Sequence, residues 1–225
     1  MPTYLFDAYG TLLDLSAAFR IAEPRLGARL APMLERWRAT QLDYAWLAGL
    51  SDRYRPFDAI TRDAFRDSLA AEDIVDEGLV DDLCNAFATL PAYPDAAATL
   101  QALKSRGDMC AILSNGTPQW LQASVDHAGL AASFDAILST HAVRTYKPAP
   151  AAYALGTARF EQPAAAMIFV SSNWWDVAGA RDFGYQTVWI SRGNTVWPAS
   201  VEQPRMIAAS LTDILNLAAP SPPRG

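Results

Sequence analysis

The sequence predicts an α/β fold, a Rossmann-like doubly wound parallel sheet core with an inserted all-helical cap lobe. Three observations carry this. From about Ala92 onward, short apolar runs alternate with helical stretches, a pattern that pairs strands in parallel and lays helices on both faces. One further apolar run stands alone near the N-terminus, at 4–6. Between them, 15–91 shows no strand pattern. The expected division is therefore a core of 1–14 and 92–219, a cap of 15–91, and a disordered tail of 220–225.

Taken in order, Tyr4-Leu5-Phe6 reads as a buried strand, and Asp7 follows it at once. Helical stretches near 32–50, 58–71 and 76–90 make up the lobe. Asp95 is expected to cap a helix that stops at Gly107. A strand at 109–113 comes next. Thr117 then caps a helix with Pro118 in its first turn and Gly129 past its end. Further strands are expected at 134–138, 167–170 and 185–190. Helices at 149–159 and from about 173 to Phe183 lie between them. The tail, Pro220-Ser221-Pro222-Pro223-Arg224-Gly225, is Pro-rich, hence the expectation of disorder.

Composition narrows the function. With 225 residues, 51% of them apolar, the chain can bury one sizeable core, or a core plus a smaller lobe. Its net charge of −6 argues against nucleic acid and anionic membranes as partners. An anionic substrate would then need positive groups inside its own pocket. No run reaches the ~18 apolar residues of a membrane span, and no basic segment precedes the first strand as in a signal peptide. Cys84 and Cys110 sit in separate elements with no CxxC, which fits a reduced cytoplasmic protein. The two histidines, His127 and His141, read as structural or surface residues rather than as catalysts.

The chemistry gathers at strand ends. Ligands of open α/β sheets bind outside the carboxyl ends of the strands, and Asp7-Ala8-Tyr9-Gly10-Thr11 begins there. The strand at 109–113 runs into Ser114-Asn115-Gly116-Thr117-Pro118, a small-residue turn into a helix N-terminus that favours an anion. Eight residues beyond the next strand begins Tyr146-Lys147-Pro148, which carries Lys147. The strand at 167–170 leads into Ser171-Ser172-Asn173-Trp174-Trp175-Asp176, where Asp176 lies about one helical turn past Asn173. Each cluster alone also fits a turn aspartate, an ordinary cap, a solvated lysine or core tryptophans.

In this order the four clusters resemble the haloacid dehalogenase superfamily over nearly the whole chain. With Trp37-Arg38-Ala39-Thr40-Gln41-Leu42-Asp43-Tyr44 in the lobe, the match narrows to the L-2-haloacid dehalogenases. The alternative is a phosphatase or phosphonatase of the same superfamily. Those enzymes carry a second Asp two residues after the nucleophile, to protonate a poor alkoxide leaving group. Here that residue is Tyr9, and a halide leaves without a proton. They also hold Mg²⁺ with an acidic residue in the last cluster, where this chain has Ser172. No metal or cofactor is expected.

The resemblance implies hydrolysis of (S)-2-haloacids to (R)-2-hydroxyacids through an aspartyl ester; haloacetates and fluoroacetate are candidate further substrates, and the sequence does not fix the halogen. It makes Asp7 the nucleophile, Lys147 the cation that keeps it ionised, and Thr11 its hydrogen-bond donor. Asp176, positioned by Ser171 and Asn173, activates water, with Tyr153 supporting this network. Ser114 and backbone N–H groups near Tyr9, Gly10 and Asn115 hold the substrate carboxylate. Arg38, Asn115 and Trp175 cradle the halide. Tyr9, Leu42, Phe57 and Trp175 wall the pocket and exclude water. The expected partners are the haloacid, water and a second copy of the chain in a homodimer.

Overall fold

The computed structural model describes residues 1–192 and 195–217. The last two residues of the expected core, 218–219, and the expected disordered tail, 220–225, lie outside the described residues. The chain begins with β1 (Thr3–Phe6), then runs through helices only: α1 (Leu15–Ala18), α2 (Glu23–Leu26), α3 (Leu30–Leu50), α4 (Phe57–Ala70) and α5 (Glu77–Ala88). It continues as α6 (Ala96–Ser105), β2 (Met109–Ser114), α7 (Pro118–His127), β3 (Ala136–Ser139), α8 (Pro150–Phe160) and β4 (Met167–Ser171). The last elements are α9 (Trp174–Phe183), β5 (Gln186–Ile190), β6 (Met206–Ala208) and a 3-10 turn at Leu211–Asn216.

The six strands form one parallel sheet in the order β3-β2-β1-β4-β5-β6. The chain winds outward from β1 in both directions, so the order reverses between β1 and β4. That is the switch point at which open sheets of this kind bind ligands. Phe6 pairs with Ile112 on one side and Val170 on the other. One more backbone bond, Asp7 N–H to Val170 O at 2.9 Å, carries the ladder to the first residue of the site. Strands buried on both faces need no polar alternation, and every residue of β1 and β4 is buried.

Each sheet face has its own packing. Leu5, Ala111, Phe169, Tyr153 and Tyr185 pack on one face. On the other, Phe6, Tyr9 and Leu12 join a cluster that runs without a break into Trp37, Phe65 and Phe87 of the helices. Tyr9 is the joint: its ring lies 4.4 Å from Phe87 and 6.1 Å from Phe57. Helix α3 buries Met33, Trp37, Gln41, Ala45 and Ala48, spaced three or four apart as one helical face requires. Trp37 stacks on Phe65 at 4.5 Å with the rings nearly parallel. The chain leaves and re-enters the sheet region at neighbouring points, since Asp14 N–H donates to Pro91 O and Tyr93 N–H to Leu12 O.

Several local expectations are corrected. The strand β6 carries no apolar run strong enough to announce it. It exists because the exposed edge of β5 offers unpaired backbone groups, which Met206–Ala208 satisfy. The strand expected from 134 begins at Ala136, and the helix expected to reach 90 ends at Ala88. Asp95 does not cap its helix with its side chain. Its carboxylate instead accepts from Arg192 and from Leu211 N–H, groups far away in sequence. Thr117 precedes α7, but its hydroxyl makes no cap bond. Cys84 and Cys110 are buried free thiols. No helix of the described residues is long and apolar enough to cross a membrane.

Candidate active site

Asp7 ends the central ladder and is almost fully buried. The loop after it folds back tightly, with Ala8 O accepting from the N–H groups of Thr11, Leu12 and Leu13. Gly10 sits at φ +84°, a left-handed conformation that only glycine adopts readily. This turn returns Thr11 to the carboxylate, and its hydroxyl donates to Asp7 Oδ2 at 3.1 Å.

The end of the adjacent strand supplies two more donors to the same oxygen. Asn173 Nδ2 lies 2.9 Å from Asp7 Oδ2 and Ser171 Oγ lies 3.4 Å from it. Ser171 Oγ also accepts from Asn173 N–H at 3.1 Å. Ser172, which the sequence singled out only as a missing carboxylate, ties the two strand ends together. Its N–H donates to Thr11 Oγ1 at 2.9 Å and its hydroxyl to Gly10 O at 2.8 Å.

Asp7 Oδ1 has a different environment. Lys147 Nζ approaches it at 3.0 Å and reaches Asp176 Oδ2 at 2.7 Å. Lys147 is held from both sides by its backbone, around a cis bond to Pro148. Its N–H donates to Asn115 Oδ1 at 2.9 Å, and its carbonyl accepts from Trp46 Nε1 at 3.2 Å. A backbone N–H cannot donate to an amide NH₂, so Asn115 presents its oxygen to Lys147 and its Nδ2 donors elsewhere. Tyr153 OH donates to Asp176 Oδ1 at 2.9 Å.

The charges follow from burial. Burial alone would push the Lys147 ammonium down, but Asp176 and Asp7 hold it above its ordinary value. Asp176 is fully buried. Burial raises its carboxyl to about 6, Asp7 adds to the rise, and Lys147 and Tyr153 pull the other way. One ammonium facing two carboxylates leaves a net negative charge, and the nearby Arg38 offsets it. Burial lowers the Arg38 guanidinium, while Asp7, Tyr9 and Asp176 act in the opposite direction.

Of the residues expected from sequence, Asp7, Thr11, Lys147, Ser171, Asn173, Asp176 and Tyr153 form one connected hydrogen-bond network, with Asn115 attached through Lys147. Phe57 packs on Tyr9 as a wall should. Ser114 is fully buried, and its Oγ accepts from Gly116 N–H at 3.3 Å. Leu42 and Trp175 are half-buried. Trp175 meets Trp46 edge to face at 5.5 Å and lines a surface groove of about 860 Å³ with Tyr146 and Pro148. Asp7 and Asp176 are not among the residues lining that groove. The Gly10 N–H is a correction. It donates to Leu13 O at 2.9 Å, because the tight turn uses it internally, so it is not free for a substrate carboxylate. The Tyr9 hydroxyl is buried without a partner among the described residues.

Three supporting residues were not singled out from sequence. Trp46 carries no sequence signal, and Thr140, whose hydroxyl lies 3.4 Å from Asn115 Oδ1, carries none either. Gln41 could have been found, since it lies three residues past Arg38 on a helix. It accepts from Arg38 Nη1 at 2.6 Å.

Comparison with known proteins places this geometry among relatives. A family model described as haloacid dehalogenase-like hydrolase matches residues 1–184. An (S)-2-haloacid dehalogenase of Pseudomonas sp. (strain YL) is 37% identical over 213 residues, 94% of this chain and 92% of that protein. Haloacetate dehalogenase H-2 of Moraxella sp. (strain B) is 34% identical over 215 residues, 95% of this chain and 96% of that protein. The solved L-2-haloacid dehalogenase of Xanthobacter autotrophicus with chloropropionic acid covalently bound superposes with a TM-score of 0.87. It is 34% identical, covering 95% of this chain and 97% of that one.

Proposed function

This chain belongs to the haloacid dehalogenase-like hydrolases and acts on carbon–halide bonds, and from that premise we propose that it converts (S)-2-haloacids to (R)-2-hydroxyacids through an ester of Asp7. The observation that carries the proposal is the asymmetry of the Asp7 carboxylate. Oδ2 accepts from Thr11, Asn173 and Ser171, whereas Oδ1 takes one contact, from Lys147. Oδ1 is thus the oxygen with electron pairs to offer.

Oδ1 attacks C2 in line with the leaving halide. The C–O bond forms as the carbon–halide bond breaks, the halide leaves with its electron pair, and C2 inverts. Arg38, Asn115 Nδ2 and Trp175 receive the halide. The apolar wall of Tyr9, Leu42, Phe57 and Trp175 keeps water out of this step. Ser114 and the N–H groups near Tyr9 and Asn115 hold the substrate carboxylate.

Water then attacks the carbonyl carbon of the ester. Asp176 takes the water proton, and the negative charge develops on Oδ2, where three donors already point. That preorganisation is the largest kind of catalytic contribution such a site makes. The aspartyl–oxygen bond breaks as Asp176 returns its proton to the departing oxygen, the hydroxyacid leaves with the former Oδ1, and the re-formed Asp7 carboxyl loses the remaining water proton to solvent. Haloacetates fit the same site, as the Moraxella relative's name supports, and fluoroacetate would place the heaviest demand on the halide donors. We treat 15–91 as a cap over a core of 1–14 and 92–219, supported by the paired crossing points at Asp14–Pro91 and Leu12–Tyr93. We also infer a cytoplasmic homodimer.

A single turnover in ¹⁸O-water with enzyme in excess tests the proposal. The ester route puts the label into the Asp7 carboxylate and leaves the first product unlabelled. Direct attack by water on C2 would label the product and leave Asp7 unlabelled, which overturns it.

A further inference from the structure

Arg38 is a half-buried cation that makes no ion pair among the described residues. Its one hydrogen bond there goes to a neutral acceptor, Gln41 Oε1, at 2.6 Å. Gln41 is itself completely buried. It is not a free amide filling space, because its Nε2 donates to Thr61 Oγ1 at 2.6 Å, and Thr61 Oγ1 donates to Phe57 O at 2.7 Å. The three bonds run in one direction, guanidinium to amide to hydroxyl to carbonyl. A guanidinium only donates, so Gln41 turns its Oε1 to Arg38 and its Nε2 to Thr61, and the Gln41 amide has a single orientation. The chain crosses from α3 to α4 and ends on Phe57, whose ring stacks on Tyr9. It therefore couples the direction of Arg38 to the position of the apolar wall.

We propose that Gln41, backed by Thr61, is a positioning residue that aims Arg38 at the leaving halide while leaving its charge uncompensated. The inference rests on the reading of Arg38 as a halide donor. An acidic residue at this place would hold the guanidinium equally well, but as an ion pair. The positive charge would then be spent inside the protein rather than on the anion. An apolar residue would leave the charge intact and lose the direction. Gln is the side chain of this length that accepts a hydrogen bond without neutralising its donor.

The test uses Gln41→Glu, Gln41→Met, Thr61→Val and Arg38→Ala. For each, kcat and KM on 2-chloropropionate and 2-bromopropionate, inhibition by added chloride and bromide, and the thermal midpoint are measured. Gln41→Glu is expected to unfold no earlier than the parent, yet to lose at least about tenfold in kcat/KM with weaker halide inhibition. Gln41→Met should lose mainly kcat, and Thr61→Val should lose less in the same direction. A purely structural Gln41 would leave halide inhibition unchanged in Gln41→Glu and make its activity follow its stability, which overturns the proposal. If Gln41→Glu does not fold, Gln41→Met decides, and activity within twofold of the parent overturns it. Arg38→Ala separates the two levels. Near-parental activity there removes the reading of Arg38. A large loss there beside an unaffected Gln41→Glu removes only the role of Gln41.

Discussion

Asp7 and Asp176 share one ammonium group: Lys147 Nζ lies 3.0 Å from Asp7 Oδ1 and 2.7 Å from Asp176 Oδ2. The two carboxylates come from different strand ends, and the cation between them comes from a third. All three side chains are buried, so each is felt strongly by the others. The arrangement holds the proposed nucleophile and the proposed base of the second step side by side without letting their repulsion expel either. It also predicts that they can be separated by mutation.

Asp7→Asn should reduce turnover by more than ~10³-fold, because an amide is a far weaker nucleophile. The backbone bond to Val170 and the fold should persist, which circular dichroism checks. Near-parental activity would remove Asp7 from the first step.

Asp176→Asn should form the ester and fail to hydrolyse it. A burst of halide equal to the enzyme present is expected, with the acyl group found on the Asp7 peptide by mass spectrometry. Steady halide release at the parental rate would show that another group activates the water.

In the parent enzyme the same step sets the pH dependence. Asp176 must be ionised to accept a proton; burial raises its carboxyl to about 6 while Asp7 is a free carboxylate, and esterification of Asp7 removes the charge that adds to the rise. The ester-hydrolysis rate should be level above about pH 6 and fall at lower pH, as the Asp176 carboxyl of the ester form takes up its proton. The Lys147 ammonium, held up by both carboxylates, stays charged across this range. A rate that shows no fall even down to the ordinary carboxylate range, about pH 4, argues against Asp176 as the base.

Tyr9→Phe removes a buried hydroxyl that has no partner among the described residues. An unsatisfied buried hydroxyl costs about 1–3 kcal/mol, so the variant should unfold at the same or a higher temperature. If the substrate supplies the missing partner, KM rises roughly fivefold, the worth of one neutral hydrogen bond. An unchanged KM would leave Tyr9 as an apolar wall alone.

Activity should survive EDTA and gain nothing from added Mg²⁺. The reason is chemical: an ammonium lies between the two carboxylates, and Ser172 spends its hydroxyl on Gly10 O. Loss on chelation with recovery on Mg²⁺ would return the phosphatase reading to consideration.

Much of this protein was determined by sequence alone, for a local reason. Period, turn chemistry and the residues at and just after strand ends are short-range properties: Asp7 and Ser171 stand at such ends, Asn173 and Asp176 open the helix after β4, and Lys147 lies in the loop after β3. A parallel sheet brings its carboxyl ends together, so the residues on them converge once the strands are recognised. What only the tertiary structure decided is long-range pairing. The edge strand β6 exists because β5 offers it unpaired groups, not because Met206-Ile207-Ala208 is strongly apolar. Asp95 serves Arg192 and Leu211 rather than its own helix. The Gly10 N–H is consumed by its own turn, the two oxygens of Asp7 differ because three donors converge on one of them, and Gln41 finds Thr61 twenty residues away. Each of these is a competition among partners for one polar group, and sequence names the competitors without giving the distances that choose the winner.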